Sequence, residues 1–338
     1  MKQLWFFWCA MLITACAESN MDRKESSPNF NEGQFKNVDN KTLTLWEIVW
    51  LGLNTDTERA EWPDFVETEE DKNPATNIKN EDVRITFVNH ATFLIQTQGV
   101  NILTDPVFSE RASPFSFVGP KRAHNPGISL SNLPKIDVVI ISHDHYDHLD
   151  TATMEYLIAR DNPKVYVGLG VANRLPSNPN VFELDWGESA YVNSNFKLWF
   201  LEVQHNSGRT PFDRDSTLWG GFMMQIGSKN IYFGGDSGYA DHYKRAHEKF
   251  GTIDIAFIPI GAYAPREIFK SAHLDPYEAV QAHQDLNAKL SIGMHHGTFQ
   301  LTDEPRTEPL QLLEKAKQAA QVPSNEFIIL DVGVPANL

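Results

Sequence analysis

The chemistry of this chain is concentrated in one stretch, Ser142-His143-Asp144-His145-Tyr146-Asp147-His148-Leu149-Asp150, which follows the apolar run at 138–141. A buried strand ending in His143, His145, Asp147 and His148 delivers four ligand-type side chains to one rim of a sheet. Crowding imidazoles and carboxylates together is costly unless a cation offsets their desolvation and mutual repulsion. At this H-x-H-x-D-H spacing, His143 and His145 can converge on one ion while Asp147 and His148 point at a second. A polar surface loop is the bland alternative. Imidazole with carboxylate and no thiolate suits zinc best, with iron or manganese as alternatives.

Two ions need more ligands than one loop holds, and the ends of later strands offer them. His205 follows the run at 197–202, Asp236 follows 231–233 through Gly234-Gly235, and His295 follows 290–294. Asp236 is the natural bridge, because one carboxylate can join two cations and the paired glycines permit close backbone approach.

These residues must be positioned by regular elements. Short β-branched runs at 83–88, 92–96 and 101–104, punctuated by Asn89-His90 and Gly99, read as hairpins. Further strands are expected at 138–141, 165–167, 197–202, 222–226, 231–233, 255–259 and 327–330, with helices at 151–160, 239–250, 276–286 and 308–321. Hairpins first, then strands alternating with helices, predict an α+β domain over 83–338, with two packed sheets covered by helices outside.

Ahead of it, residues 1–15 read as an export signal: Lys2 precedes an apolar run that is short for a membrane-spanning helix. Ile13-Thr14-Ala15-Cys16 resembles a bacterial lipobox, which implies lipidation of Cys16, with Ala17 matching the outer-membrane pattern. The expectation is an exported lipoprotein anchored to the outer membrane and facing the periplasm. Cys9 would leave with the signal, so no thiol would remain for a disulfide or a thiolate metal site. Residues 16–41, polar and aperiodic, are expected as a flexible tether. Residues 42–82 form an N-terminal extension opening with a helix at 42–53. That helix is apolar on most faces and must be covered, by the domain or, given Trp46 and Trp50, by lipid. The chain of 338 residues carries a net charge of -15 and no dense basic run, which argues against a nucleic-acid partner. Its length allows one large core or two small ones.

Between residues 83 and 330 the segments LTDPVFSERASP, VGPKR, ISHDHYDHLD, ELDW, GGDSGY, IPIGAYAPR, HLDPYEAV and HHGTF resemble the metallo-β-lactamase superfamily. Within it they are most similar to the N-acyl-phosphatidylethanolamine-hydrolysing phospholipases D. The resemblance implies a four-layer αββα sandwich with two Zn2+ ions at the sheet edges. It assigns His143, His145 and His205 with Asp236 to one ion, and Asp147, His148 and His295 with Asp236 to the other. His296 beside His295 leaves two candidates there; the following Gly297-Thr298-Phe299 favours His295. Asp105, in LTDP, is either an acceptor behind a ligand imidazole or a turn cap before Pro106. His273 is either near a substrate phosphate or a helix-entry residue, and Tyr263 either lines the substrate cavity or packs. His90 is expected to be structural, and His124, His242, His247 and His283 receive no role. The implied reaction is hydrolysis of a membrane phospholipid to N-acylethanolamine and phosphatidate, with Asp147 handling the proton. The same ligands would serve a lactonase, thioesterase or β-lactamase. A lipoprotein that holds metal without catalysis is the alternative of a different class. Should the chain associate, a homodimer is the expected form.

Overall fold

The structure is a computed structural model and describes residues 23–39, 42–55, 58–79 and 81–338. A small hairpin, β1 (Phe30–Asn31) with β2 (Gln34–Phe35), precedes helix α1 (Leu45–Asn54). The first large sheet contains β3 (Arg84–Asn89), β4 (Thr92–Thr97), β5 (Val100–Thr104), β6 (Val138–Ile140), β7 (Lys164–Gly168) and β8 (Val181–Leu184). The second contains β9 (Ser189–Asn193), β10 (Phe196–Leu201), β11 (Gly221–Ile226), β12 (Lys229–Phe233), β13 (Ile253–Pro259), β14 (Ala288–Met294) and β15 (Phe327–Ile328). The chain then returns as β16 (Ala336–Asn337) to the outer edge of the first sheet, beside β3.

Each sheet is antiparallel in its first half and parallel in its second. β3, β4 and β5 form hairpins and β5 to β8 run parallel; β9 to β12 are antiparallel and β12 to β15 parallel. At the β4–β5 turn both Gln98 and Gly99 have positive φ, as a two-residue hairpin that follows the strand twist requires. Parallel pairs need crossovers, and helices supply them. The inner faces meet in a core containing Phe87, Phe93, Phe196, Phe222, Phe233 and Phe257. Truncating one such ring to alanine is expected to cost about 3–5 kcal/mol. Outside the first sheet, α2 (Thr151–Asp161) packs Met154 and Leu157 on Leu103 and Val139. Outside the second lie α3 (His242–Phe250), α5 (Pro276–Asp285) and α6 (Glu308–Ala320), whose Tyr243, Val280 and Leu313 cover Tyr232 and Ile258; the short α4 (Arg266–Phe269) precedes α5. The order is helix, sheet, sheet, helix, the expected αββα sandwich.

The differences from the sequence reading lie at the edges. β8, β9 and β16 are edge strands too short or too exposed to show periodicity. Helix α3 begins at His242 rather than 239, where Tyr239 instead turns its hydroxyl to Asp285. Within the stretch expected as a tether, residues 23–39 lie against the sandwich. Phe35 is buried, Arg23 donates to the Glu183 carbonyl, and the Asn37 side chain bonds the backbone of His205 in both directions. Helix α1 opens on a Thr44–Glu47 capping box, but among the described residues the expected domain cover is missing from one face: Trp46 is 82% and Leu53 81% exposed. Cys16 and the expected signal lie outside the described residues.

Candidate metal centre

The C-terminal ends of β3, β5, β6, β10, β12 and β14 all reach one rim of the sandwich, because strands two apart in an antiparallel run and neighbours in a parallel run point the same way. His90, Asp105, the 142–150 loop, His205, Asp236 and His295 leave from those ends. Gly235 lets the two sheets close there. Its φ is +57°, and a Cβ would stand 2.6 Å from that of Ser142.

Asp105 anchors the ligand loop. Its Oδ1 accepts the Ser142 amide at 2.7 Å, while its Oδ2 accepts the Ser142 hydroxyl at 2.6 Å and His148 Nδ1–H at 2.7 Å. The site therefore places Asp105 behind a ligand imidazole. With its proton on Asp105, the Ser142 hydroxyl accepts His143 Nδ1–H at 2.9 Å. His205 Nδ1–H donates to the Ala272 carbonyl at 2.8 Å. These contacts place a proton on Nδ1 of three imidazoles, so that Nε2 is the atom each would offer to a cation. From the other side, Asp144 accepts the Gly208 amide and Arg174. The Arg209 guanidinium lies 3.8 Å over the Tyr146 ring and bonds the Asp144 and Leu149 carbonyls.

The free atoms converge. Potential ligand atoms of His143, His145 and His205 lie within 4.8 Å of one another, as do those of Asp147, His148, His295 and His90. His143 Nε2 and His145 Nδ1 are 2.8 Å apart, so one must carry a proton or both must face a cation. Asp236 lies between the groups: its Oδ2 is 3.1 Å from His148 Nε2, 3.0 Å from His295 Nε2 and 3.8 Å from His205 Nε2. His148 Nε2, His205 Nε2 and Asp236 Oδ1 are buried and make no hydrogen bond among the described residues. Orphaned lone pairs aimed into one space, with imidazole and carboxylate chemistry and no thiolate, fit metal ions.

Electrostatics divide the cluster. Burial pushes His143 and His205 well below the usual imidazole range. Burial also opposes charge on His148 and His295, but Asp236 and Asp147 outweigh it, holding His148 well above that range and His295 at about 9. Burial would raise Asp147 and Asp236; the neighbouring imidazoles keep both well below the carboxylate range. The cluster is built around positive charge, supplied by protons or by metal.

All seven expected ligands meet here. His295 enters the cluster, whereas His296 lies outside it with its ring centroid 5.7 Å from that of Phe87. His273 also reaches it, with Nδ1 3.8 Å from Asp236 Oδ2 and no hydrogen bond on that nitrogen. Tyr263, expected either to line the substrate cavity or to pack, donates its hydroxyl to Glu308 at 2.8 Å. Two residues were undervalued in the sequence. His90 Nε2 lies 2.9 Å from Asp147 Oδ2, and His124 bonds Thr298. The only sequence signal for either was an Asn-His or His-Asn pair at a turn.

The family described as Beta-lactamase superfamily domain matches residues 100–296. A Caenorhabditis elegans protein named N-acyl-phosphatidylethanolamine-hydrolyzing phospholipase D 1 is 39% identical over 263 residues, 73% of this chain and 74% of its own. An uncharacterised Mycobacterium tuberculosis protein is 34% identical over 88% of this chain and 82% of its own. Among solved structures, a metallo hydrolase from the archaeon Ignicoccus hospitalis superposes with a TM-score of 0.57 at 20% identity, covering 76% of this chain and 98% of its own.

Proposed function

The chain belongs to the metallo-β-lactamase superfamily, and from that premise we propose that it is a zinc-dependent phosphodiesterase of the phospholipase D type acting on N-acyl-phosphatidylethanolamine. The observation that carries the chemistry is the sharing of Asp236 between two ligand sets. The substrate rests on the 39% relation to the nematode protein that bears that name.

His143, His145 and His205 would hold one zinc and Asp147, His148 and His295 the other, with Asp236 common to both. Such ions, when bound, supply a water acidified towards neutral pH and positive charge at phosphoryl oxygens. Asp147, kept ionised by its imidazole neighbours, is placed to take the proton of the attacking water and pass it to the departing alkoxide. The bond between phosphorus and the ethanolamine oxygen breaks, N-acylethanolamine leaves as the alcohol, and phosphatidate remains. His273, which burial pushes down to about 4 and so keeps neutral, is placed to meet a phosphoryl oxygen through its ring.

Apolar groups near this rim support work at a lipid surface. Phe115, Phe117 and Val118 stand exposed on the excursion tied by the Arg111–Lys121 bridge, beside a cavity of about 300 Å3 lined by Arg111, Phe115, Tyr146 and Arg209. Phe212, 97% exposed, lies between Arg209, which bonds the ligand loop, and Arg214, which holds the Leu43 carbonyl just ahead of α1. With Trp46, Trp50 and Leu53 these form apolar groups of the kind that mark interaction surfaces. No helix among the described residues is long and apolar enough to cross a membrane. Attachment is assigned to lipid on Cys16, and mass spectrometry of the mature N-terminus tests it.

The deciding experiment incubates zinc-loaded mature protein with N-acyl-phosphatidylethanolamine and, separately, with a lactone panel. Release of N-acylethanolamine that disappears in Asp147→Asn is the expected result. Lactone opening alone overturns the phosphodiester reading.

A further inference from the structure

His90 looks like a turn residue in sequence, yet its ring is completely buried against the metal-ligand cluster. Its centroid lies 4.0 Å from that of His295 and 5.3 Å from that of Phe299, and its Nε2 lies 2.9 Å from Asp147 Oδ2. Its backbone adopts φ +45°, an uncommon conformation for a residue with a side chain, and the surroundings hold it there. The His90 amide donates to Thr298 Oγ1 at 2.8 Å, and its carbonyl accepts the His295 amide at 2.9 Å. The Thr298 hydroxyl pairs with His124 Nε2 at 2.9 Å, and His124 Nδ1–H donates to the Asn125 carbonyl at 2.7 Å. Three hydrogen bonds in series therefore fix a strained backbone whose ring makes one polar contact.

That contact has two readings, metal ligand or hydrogen-bond donor, and the other ring nitrogen separates them. His90 Nδ1 is buried with no partner among the described residues. To ligate through Nε2, the ring would have to carry its proton on Nδ1, leaving a buried N–H unpaired. A doubly protonated ring has the same defect. Only the tautomer with the proton on Nε2 leaves nothing worse than an unused lone pair, and it donates to Asp147.

We infer that His90 is a positioning residue: its Nε2–H holds Asp147 Oδ2 on the axis it shares with His148 and His295, so that the carboxylate meets the second ion already oriented. This rests on the reading of the cluster as a metal centre and is independent of the substrate. Removing such a donor is expected to weaken the ion it serves about 10–100-fold.

The test compares His90→Gln, whose amide N–H can reach where Nε2–H stood, with His90→Asn, which is too short. Both are titrated with zinc by calorimetry and assayed for turnover. The expected result is that H90N lowers affinity for the second zinc equivalent about 10–100-fold, spares the first, and lowers kcat with little change in KM, while H90Q recovers most of both. In an Asp147→Asn background, H90N is expected to add nothing further. Two variants equal to the native protein, or equally weakened, overturn the inference. So does loss of one imidazole from the second ion's X-ray absorption shell in H90Q, which would make His90 a ligand. Failure of the phospholipid reading appears separately, as absent turnover with unaltered metal titrations in the native protein.

Discussion

The carboxylate beside His143 and His205 is Asp236, whereas His148 and His295 are enclosed by Asp105, Asp147 and Asp236. The consequence is a difference in charge between the two halves. Burial keeps His143 and His205 neutral and ready to ligate. In the other half the carboxylates outweigh burial, so that without metal His148 and His295 hold protons that an incoming ion must displace. Ligand identity already sets three imidazoles against two imidazoles and a carboxylate. The environment makes one half primed and the other linked to protons.

The strongest way to break that division is to remove what the halves share. Asp236→Ala is expected to lower activity on the order of 10³-fold or more, and dialysis followed by metal analysis should find both ions weakened. One ion retained at native affinity would show that the bridge serves a single half.

The division sharpens with pH. His295 sits at about 9 in the metal-free protein, raised above the ordinary imidazole value, so below that pH it is protonated and competes with metal. Affinity for the second ion should therefore rise with pH, about tenfold per unit for each displaced proton, with the proton on His295 contributing up to about 9. Affinity for the first should change far less. Zinc titrations in buffers from pH 6 to 9 check this, and equal slopes would remove the distinction.

A smaller change targets the anchor. Asp105→Asn leaves a weaker acceptor behind His148 and is expected to reduce second-ion affinity about tenfold, with a lesser effect on the first through Ser142. Smallest in chemical terms is Gly235→Ala. Its new methyl would press on Ser142 and push the two sheets apart at the rim, with an expected loss of about 1–3 kcal/mol in stability, read as a lower Tm. Unchanged melting and unchanged metal affinity would show that this close approach is not needed.

Much of this centre was legible because its ligands sit directly after apolar strands. The run at 138–141 announces the loop from His143 to His148, and glycines announce Asp236. His90 was not legible: its contact with Asp147 spans 57 residues, and nothing in Asn-His-Ala-Thr signals a left-handed backbone. Tyr263 was legible only in part, since a tyrosine near a strand end does not show in sequence that its hydroxyl bonds Glu308. Large strands and crossover helices follow from periodicity, but two-residue strands such as β1 and β16 have too few positions to show a period. That the domain leaves one face of α1 bare was hidden on the same ground. Composition says a helix is apolar, and only packing says what, if anything, lies on it.

Every residue discussed at the centre leaves from one end of the strands, and that has a use at the other end. There the turns at 98–99, 194–195, 227–228 and 251–252 carry no ligand, and Gly251 has open space where a side chain would begin. A fluorescent domain spliced in at 251–252 would sit a full sheet length from the candidate metal centre, on the connection that feeds β13. Such an insertion would leave the rim that carries the candidate ligands untouched.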